Sequence, residues 1–154
     1  GAKHGLPVNI LAWGKLPLCH ELIQRHPNTQ FVIDHIGLPQ PFYPPVPDDP
    51  FAGVPQVIEF AAYDNVVIKI SGGCTLAHEP FPFPDIWAPL ARVFDAFGID
   101  RCLWGTDWTR ATNLVTYAEG VDAFRLTDTL SDSEKARLLG GSLSEVYGWS
   151  PTAA

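Results

Sequence analysis

The chain has 154 residues, 46% of them hydrophobic and 18% charged, which is enough apolar content for one packed domain and too little charge for a disordered one. Its net charge of −7 at pH 7 argues against nucleic acid or an anionic membrane as the main partner. No apolar run of about 18 residues marks a membrane span, and no basic start with an apolar core marks a secretory leader. Three widely spaced cysteines, Cys19, Cys74 and Cys102, lead to the expectation of reduced thiols in a cytoplasmic protein.

Residues 7–13 (PVNILAW) are a short apolar run with β-branched members and predict a first strand. Residues 16–25 have helical spacing that places Leu18, Leu22 and Ile23 on one face. The segment ends at His26-Pro27, because proline disfavours helix in the residue before it. Residues 30–36 predict the second strand. Residues 38–50 hold six prolines and no regular period, so they form an ordered loop of the kind that serves as a lid or binding loop.

Residues 54–63 predict a helix with Pro55 in its first turn. Residues 65–71 (NVVIKIS) predict the third strand, closed by Gly72-Gly73 and followed by a loop over 74–84. Residues 85–97 are amphipathic, with Ile86, Leu90, Val93, Phe94 and Phe97 recurring at helical spacing, Asp85 as N-cap and Gly98 as the stop. Residues 101–107 predict the fourth strand, and 114–124 a helix. The last helical region, 131–147, opens with a capping box from Ser131 to Glu134 and is interrupted at Gly140-Gly141.

This alternation implies parallel strands with right-handed crossovers, hence an α/β fold. A doubly wound sheet fits, and so does a partial (β/α)8 barrel. A complete barrel takes about 250 residues, so this chain would supply about half of one. The sequence contains no methionine, even at position 1, and begins within an ongoing α/β pattern. The expectation is that residues 1–154 are the C-terminal portion of a single barrel domain. Such a half-barrel would leave two strand edges and one apolar face open, and would recruit its missing half or a second copy as a homo-oligomer. Cys19, Cys74 and Cys102 are odd in number and widely spaced, as reduced thiols are. No GxGxxG or phosphate loop predicts nucleotide binding.

The second and fourth strands each end on a reactive side chain, His35 and Asp107, with a glycine close by. Alternation groups Phe31, Ile33 and His35 on one face, Val67, Lys69 and Ser71 on another, and Leu103, Gly105 and Asp107 on a third. If these faces line a barrel, His35, Lys69, Ser71 and Asp107 converge at its mouth. A histidine and a carboxylate there can bind a metal or shuttle protons. Each also has a plain structural use: His35 as a hydrogen-bonded core residue, Asp107 as a turn cap, Lys69 as a snorkelling edge residue.

The motifs FVIDHIG, NVVIKISGG and RCLWGTDW, in that order, with the ending LSDSEKARLLGGSLSEVYGW, resemble the amidohydrolase-related branch of the amidohydrolase superfamily. Within it the similarity is to 2-pyrone-4,6-dicarboxylate lactonases and sugar-lactone hydrolases, and it runs from about Gly5 to Trp149. The resemblance implies a (β/α)8 barrel and hydrolysis of a small carboxylated or sugar-like lactone. It implies Asp107 as general base on water and His35 as the group that polarises the carbonyl, directly or through one divalent metal, zinc or manganese, held by His35 and Asp107. Lys69 and Ser71 become candidates for substrate binding, and Trp108, with Trp13, for lining the pocket.

The sequence also departs from that family. It has no His-x-His pair, Ser142 stands where asparagine is usual, and Thr109 stands where proline is usual. The third strand ends in Ser71-Gly72 rather than in a metal-binding histidine, which leaves His78 in the next loop as a secondary candidate. His4, His20 and His26 read as surface or helix-end residues. A metal-dependent decarboxylase of the same branch, and a half-barrel inactive by itself, are the alternative readings.

Overall fold

The computed structural model describes residues 1–151. Strands β1 (Val8–Ile10), β2 (Phe31–Ile33), β3 (Val66–Lys69) and β4 (Cys102–Leu103) form one parallel sheet in the order β1-β2-β3-β4. Each strand feeds a helical segment, so the chain is an α/β fold that follows the sequential strand order of a barrel arc. The ladders are shorter than the apolar runs that predict them, because the chain leaves the sheet at each strand's C-terminal end to build loops.

The register sorts the side chains. Val8, Phe31 and Val66 lie side by side, as do Ile10, Ile33 and Ile68. Phe31, Ile33, Val66, Ile68 and Cys102 pack in the main core against Val54 and Val57 of helix α2 (Val54–Ile58) and Leu90 and Val93 of helix α3 (Trp87–Phe97). The opposite face carries Val32, Val67 and Leu103, a separate small cluster. Full burial of each such side chain contributes roughly 1.5–3 kcal/mol.

The first helical segment turns a different face inward from the one its sequence predicts. It begins as a 3-10 turn, Leu16–Cys19, before helix α1 (His20–Arg25). The tighter turn shifts the phase, since residues three apart align in it. Leu16 and Ile23 are therefore buried, while Leu18 is 77% and Leu22 44% exposed. Asp85 likewise does not cap α3, which follows a 3-10 turn over Pro84–Ile86. Its Oδ2 instead accepts the backbone N–H groups of His78 (2.7 Å) and Glu79 (3.3 Å) and pins the preceding loop. Gly98 does end α3, at φ +74°.

Beyond β4 come a single turn, α4 (Trp108–Ala111), then α5 (Tyr117–Arg125) and α6 (Asp132–Ala136). Capping boxes at Thr116/Glu119 and Ser131/Glu134 start α5 and α6. The hydrogen bonds from Thr116 and Ser131 hold both glutamate carboxyls below their ordinary range. At Gly140-Gly141 the chain forms a π-turn, Arg137–Gly141, that leads into α7 (Ser142–Tyr147). Within that turn the Leu138 carbonyl accepts the Trp104 N–H at 3.0 Å, just past β4. Leu143 and Val146 of α7 then pack on Val32, Val67 and Leu103, so the sheet's second face is partly covered rather than bare.

The phase of the first helix gives a direct test. Leu16→Ala should destabilise the protein by about 2–5 kcal/mol in urea unfolding, and Leu18→Ala by less than about 0.5 kcal/mol. The reverse ranking would contradict the inward face described here.

Candidate active site

His35 reaches the rim by a route that strand alternation does not supply. Phe31 and Ile33 face the helices, and an extended His35 would follow them. The chain instead leaves β2 at Asp34, and His35, Ile36 and Gly37 adopt φ of +53°, +60° and +67°. The left-handed region is unfavourable for histidine and more so for isoleucine. Ile36 becomes fully buried as a result, and His35 is turned toward the ends of β3 and β4.

There its Nδ1 lies 2.9 Å from Ser71 Oγ and 3.6 Å from Asp107 Oδ2. The first is a hydrogen bond; the second is an ion-pair distance if the ring is protonated. Ser71 is two residues beyond Lys69, so the alternation read from the sequence brings it to the same rim. Asp107 sits at φ +54° immediately before α4 and does not cap that turn. Both candidate reactive groups thus occupy left-handed backbone, of the kind that concentrates at functional sites.

Lys69 is engaged elsewhere on the same face. Its Nζ lies 2.8 Å from Asp34 Oδ1, which also accepts from Asn9 Nδ2 at 3.3 Å. Tyr147 of α7 donates to Asn9 Oδ1 at 2.9 Å. A polar string therefore crosses β1, β2 and β3 in front of the small apolar cluster. Asp34 was not among the candidates, although its parity with Val32 and its step from Lys69 could have identified it.

Arg110 was also not among them. Its side chain is 6% exposed and its Nε donates to Asp107 Oδ2, one turn back along α4. Nη1 donates to the Pro41 carbonyl, and Nη2 to Thr75 Oγ1 (2.8 Å) and Gln40 Oε1 (3.1 Å). The available signal was the three-residue spacing from Asp107, which places oppositely charged groups together on one helical turn.

The remaining candidates scatter. Trp108 is 39% exposed and packs edge-on against Tyr117; Trp13 packs edge-on against Phe42 over the β1 end. His78 is exposed and lines a separate cleft of about 240 Å³ with Cys74 and Val115. His20 stacks on Phe60 at 4.0 Å and hydrogen-bonds Tyr63, a packing role, while His4 and His26 are exposed. Burial pushes the Cys74 and Cys102 thiols up to about 12, so both are protonated at neutral pH and neither is a ready nucleophile.

Among the described residues, no three of His, Cys, Asp and Glu cluster to hold a metal ion. His35 Nε2 and Asp107 Oδ1 offer two donors, and zinc takes at least three from protein. These two residues alone do not complete a metal site. No helix among the described residues is long and apolar enough to cross a membrane.

Residues 2–149 match the amidohydrolase family. The chain is 36% identical over 96 residues to an L-fucono-1,5-lactonase from Burkholderia ambifaria, covering 60% of this chain and 31% of that protein. It is 32% identical over 85 residues to a 4-sulfomuconolactone hydrolase from Rhizobium radiobacter, covering 52% of this chain and 25% of that one. Its fold matches a crystal structure of an amidohydrolase from Burkholderia multivorans with bound zinc, at a TM-score of 0.80 and 27% identity, over 96% of this chain and 54% of that one. The matches span less than a third of the curated relatives and about half of the solved structure. With a parallel βα arc, a histidine and an aspartate meeting at its strand ends, and a family match over nearly its whole length, the chain belongs to the amidohydrolase family.

Proposed function

We propose that this chain supplies the His35–Asp107 side of the active site of a lactone hydrolase, as the C-terminal part of one barrel domain. The observation that carries the reading is the asymmetry of the Asp107 carboxylate. Oδ2 is held by Arg110, while Oδ1 has no protein partner among the described residues and is not sealed in the interior. A carboxylate fixed by one oxygen and open at the other is suited to act as a base on water.

The roles follow from the atoms. In the tautomer in which the Ser71 hydroxyl donates to His35 Nδ1, the ring proton resides on Nε2, the nitrogen free to reach a lactone carbonyl. Water attacks the carbonyl carbon and gives its proton to Asp107 Oδ1. The Nε2–H group stabilises the oxyanion that forms. The ring C–O bond then breaks, and the leaving oxygen takes the proton back from Asp107, giving a hydroxy acid. Lys69 keeps two N–H donors besides the one paired with Asp34, enough to meet a substrate carboxylate or hydroxyl. The substrate class is a small carboxylated or sugar-like lactone, as the two lactone-hydrolysing relatives support. A zinc or manganese ion in the whole protein would need donors beyond His35 and Asp107.

The test uses the full-length protein with L-fucono-1,5-lactone and 2-pyrone-4,6-dicarboxylate, following acid release. Asp107→Asn should lower kcat by about 10²–10⁴-fold, and His35→Gln by about 10²–10³-fold. Parent-like rates in both variants would refute the assignment. Carbon dioxide release from an aromatic acid without lactone opening would favour a decarboxylase instead.

The 154-residue chain alone should give no measurable lactone turnover, because it spans only 54% of the solved amidohydrolase it matches and so supplies only part of a barrel whose strand ends together form the site. Measurable turnover by the purified monomer would count against the half-site reading.

A further inference from the structure

We propose that Arg110 is a positioning residue for Asp107 and His35, a fork that locks three strand-end loops in the geometry the reaction requires. The inference rests on the lactone-hydrolase reading and adds to it a residue that does not touch substrate. Its side chain is 6% exposed, and Nε, Nη1 and Nη2 all donate to protein acceptors, so no open face is left for a ligand.

The acceptors come from the loops that follow β2, β3 and β4. Pro41 and Gln40 belong to the first, Thr75 to the second and Asp107 to the third. Gln40 continues the connection, its Nε2 donating to the His35 carbonyl at 3.1 Å. Thr75 Oγ1 lies 2.7 Å from the Gly72 carbonyl, next to Ser71. His35, Ser71 and Asp107 are therefore joined through one guanidinium, although they lie far apart in sequence.

Two further observations indicate that the junction serves geometry. His35 and Asp107 both hold unfavourable left-handed backbone, which persists only where surrounding bonds over-determine it. Arg110 reaches the first through Gln40 and the second directly. Gly72, at φ +75°, has no room for a side chain: a Cβ there would stand 2.7 Å from Arg110 Nη2 and 2.7 Å from Gln40 Oε1. The backbone of the β3 loop has thus been brought against the guanidinium as closely as a glycine allows. By occupying Asp107 Oδ2, Arg110 also decides which carboxylate oxygen faces the reacting water.

The experiment is made on the full-length protein with whichever lactone of the two it opens. Arg110→Ala should lower kcat by about 10²-fold while KM moves less than about threefold, since the residue acts on the transition state through Asp107. Methylguanidinium in the assay should restore turnover, and methylammonium should not. Arg110→Lys keeps the charge and loses the fork, so its kcat should remain at least about tenfold low. Without any substrate, limited proteolysis should cut both Arg110→Ala and Gly72→Ala within residues 38–50 under conditions that leave the parent intact.

Parent-like kcat in the Arg110 variants, or a loss confined to KM, overturns the proposal. So does a loss that methylguanidinium does not reverse in a variant that melts like the parent. If the alanine variant does not fold, the lysine variant decides on the same criterion. If neither lactone is opened, or Asp107→Asn retains parent activity, the lactone-hydrolase reading fails on its own; unchanged proteolysis then separately overturns the brace.

Discussion

A parallel strand sends alternate side chains to opposite faces, and that two-residue repeat decides what each end of this sheet can do. One face is apolar along its whole length and packs against the helices. The other begins with Val32, Val67 and Leu103 and turns polar toward the C-terminal ends, through Asp34, Lys69 and Ser71. The apolar part can be covered by Leu143 and Val146 while the polar part stays at the rim. His35 has the wrong parity for that rim. It reaches it through consecutive left-handed residues, at a cost of roughly 1–3 kcal/mol for each strained position. Nothing about packing asks for this detour beyond Ile36, so its chief result is a histidine 2.9 Å from Ser71 and 3.6 Å from Asp107.

Bringing this many polar groups to one half-buried rim requires that they satisfy one another. Two ion pairs do so, Lys69 with Asp34 and Arg110 with Asp107. Each pair couples neighbouring strand ends or a strand end to its following turn. The pairing leaves the rim close to neutral, and among the described residues His35 Nε2 and Asp107 Oδ1 have no protein hydrogen-bond partner. A buried charge pair is weak support for stability, because desolvation offsets much of the attraction. Its clearer effect here is geometric. It fixes the orientation of a carboxylate whose backbone alone would not.

How far the sequence reaches depends on the range of the interactions concerned. The βα order, the parallel sheet and the burial of Leu90 and Val93 follow from local patterning and were legible. Ser71, two residues beyond Lys69 on β3, reaches the rim by parity alone, and there His35 contacts both it and Asp107. The inward face of the first helical segment was not legible, because a 3-10 start at Leu16 shifts the phase of every later residue. The route of His35 was not legible either, since a left-handed histidine-isoleucine pair has no sequence signature. Arg110 and Gln40 meet across 70 residues of sequence through a proline-rich loop with no period to read. Asp34 shares the parity of Val32, so alternation along β2 carries it to the rim where Lys69 pairs with it.

The two edges of the sheet are not equivalent, and this bears on how a barrel could be completed. Val8 N–H bonds the Gln30 carbonyl and the Ile10 carbonyl accepts from Asp34 N–H, so both groups are spent on β2. By the alternation of a parallel ladder, Asn9 then presents its backbone N–H and C=O to the open side. Leu6 and Leu11 beside it are 63% and 57% exposed. Unpaired backbone groups of this kind are a template on which a further strand can pair. The β4 edge differs, because the Trp104 N–H is already taken by the Leu138 carbonyl and α7 lies across the adjoining face. A strand can join at β1 without breaking a hydrogen bond, whereas one joining past β4 must displace Leu138 or pair short of it. Extension of the arc at β1 therefore needs only addition, and extension past β4 needs either pairing that stops short of Trp104 or release of the Leu138 carbonyl within the π-turn.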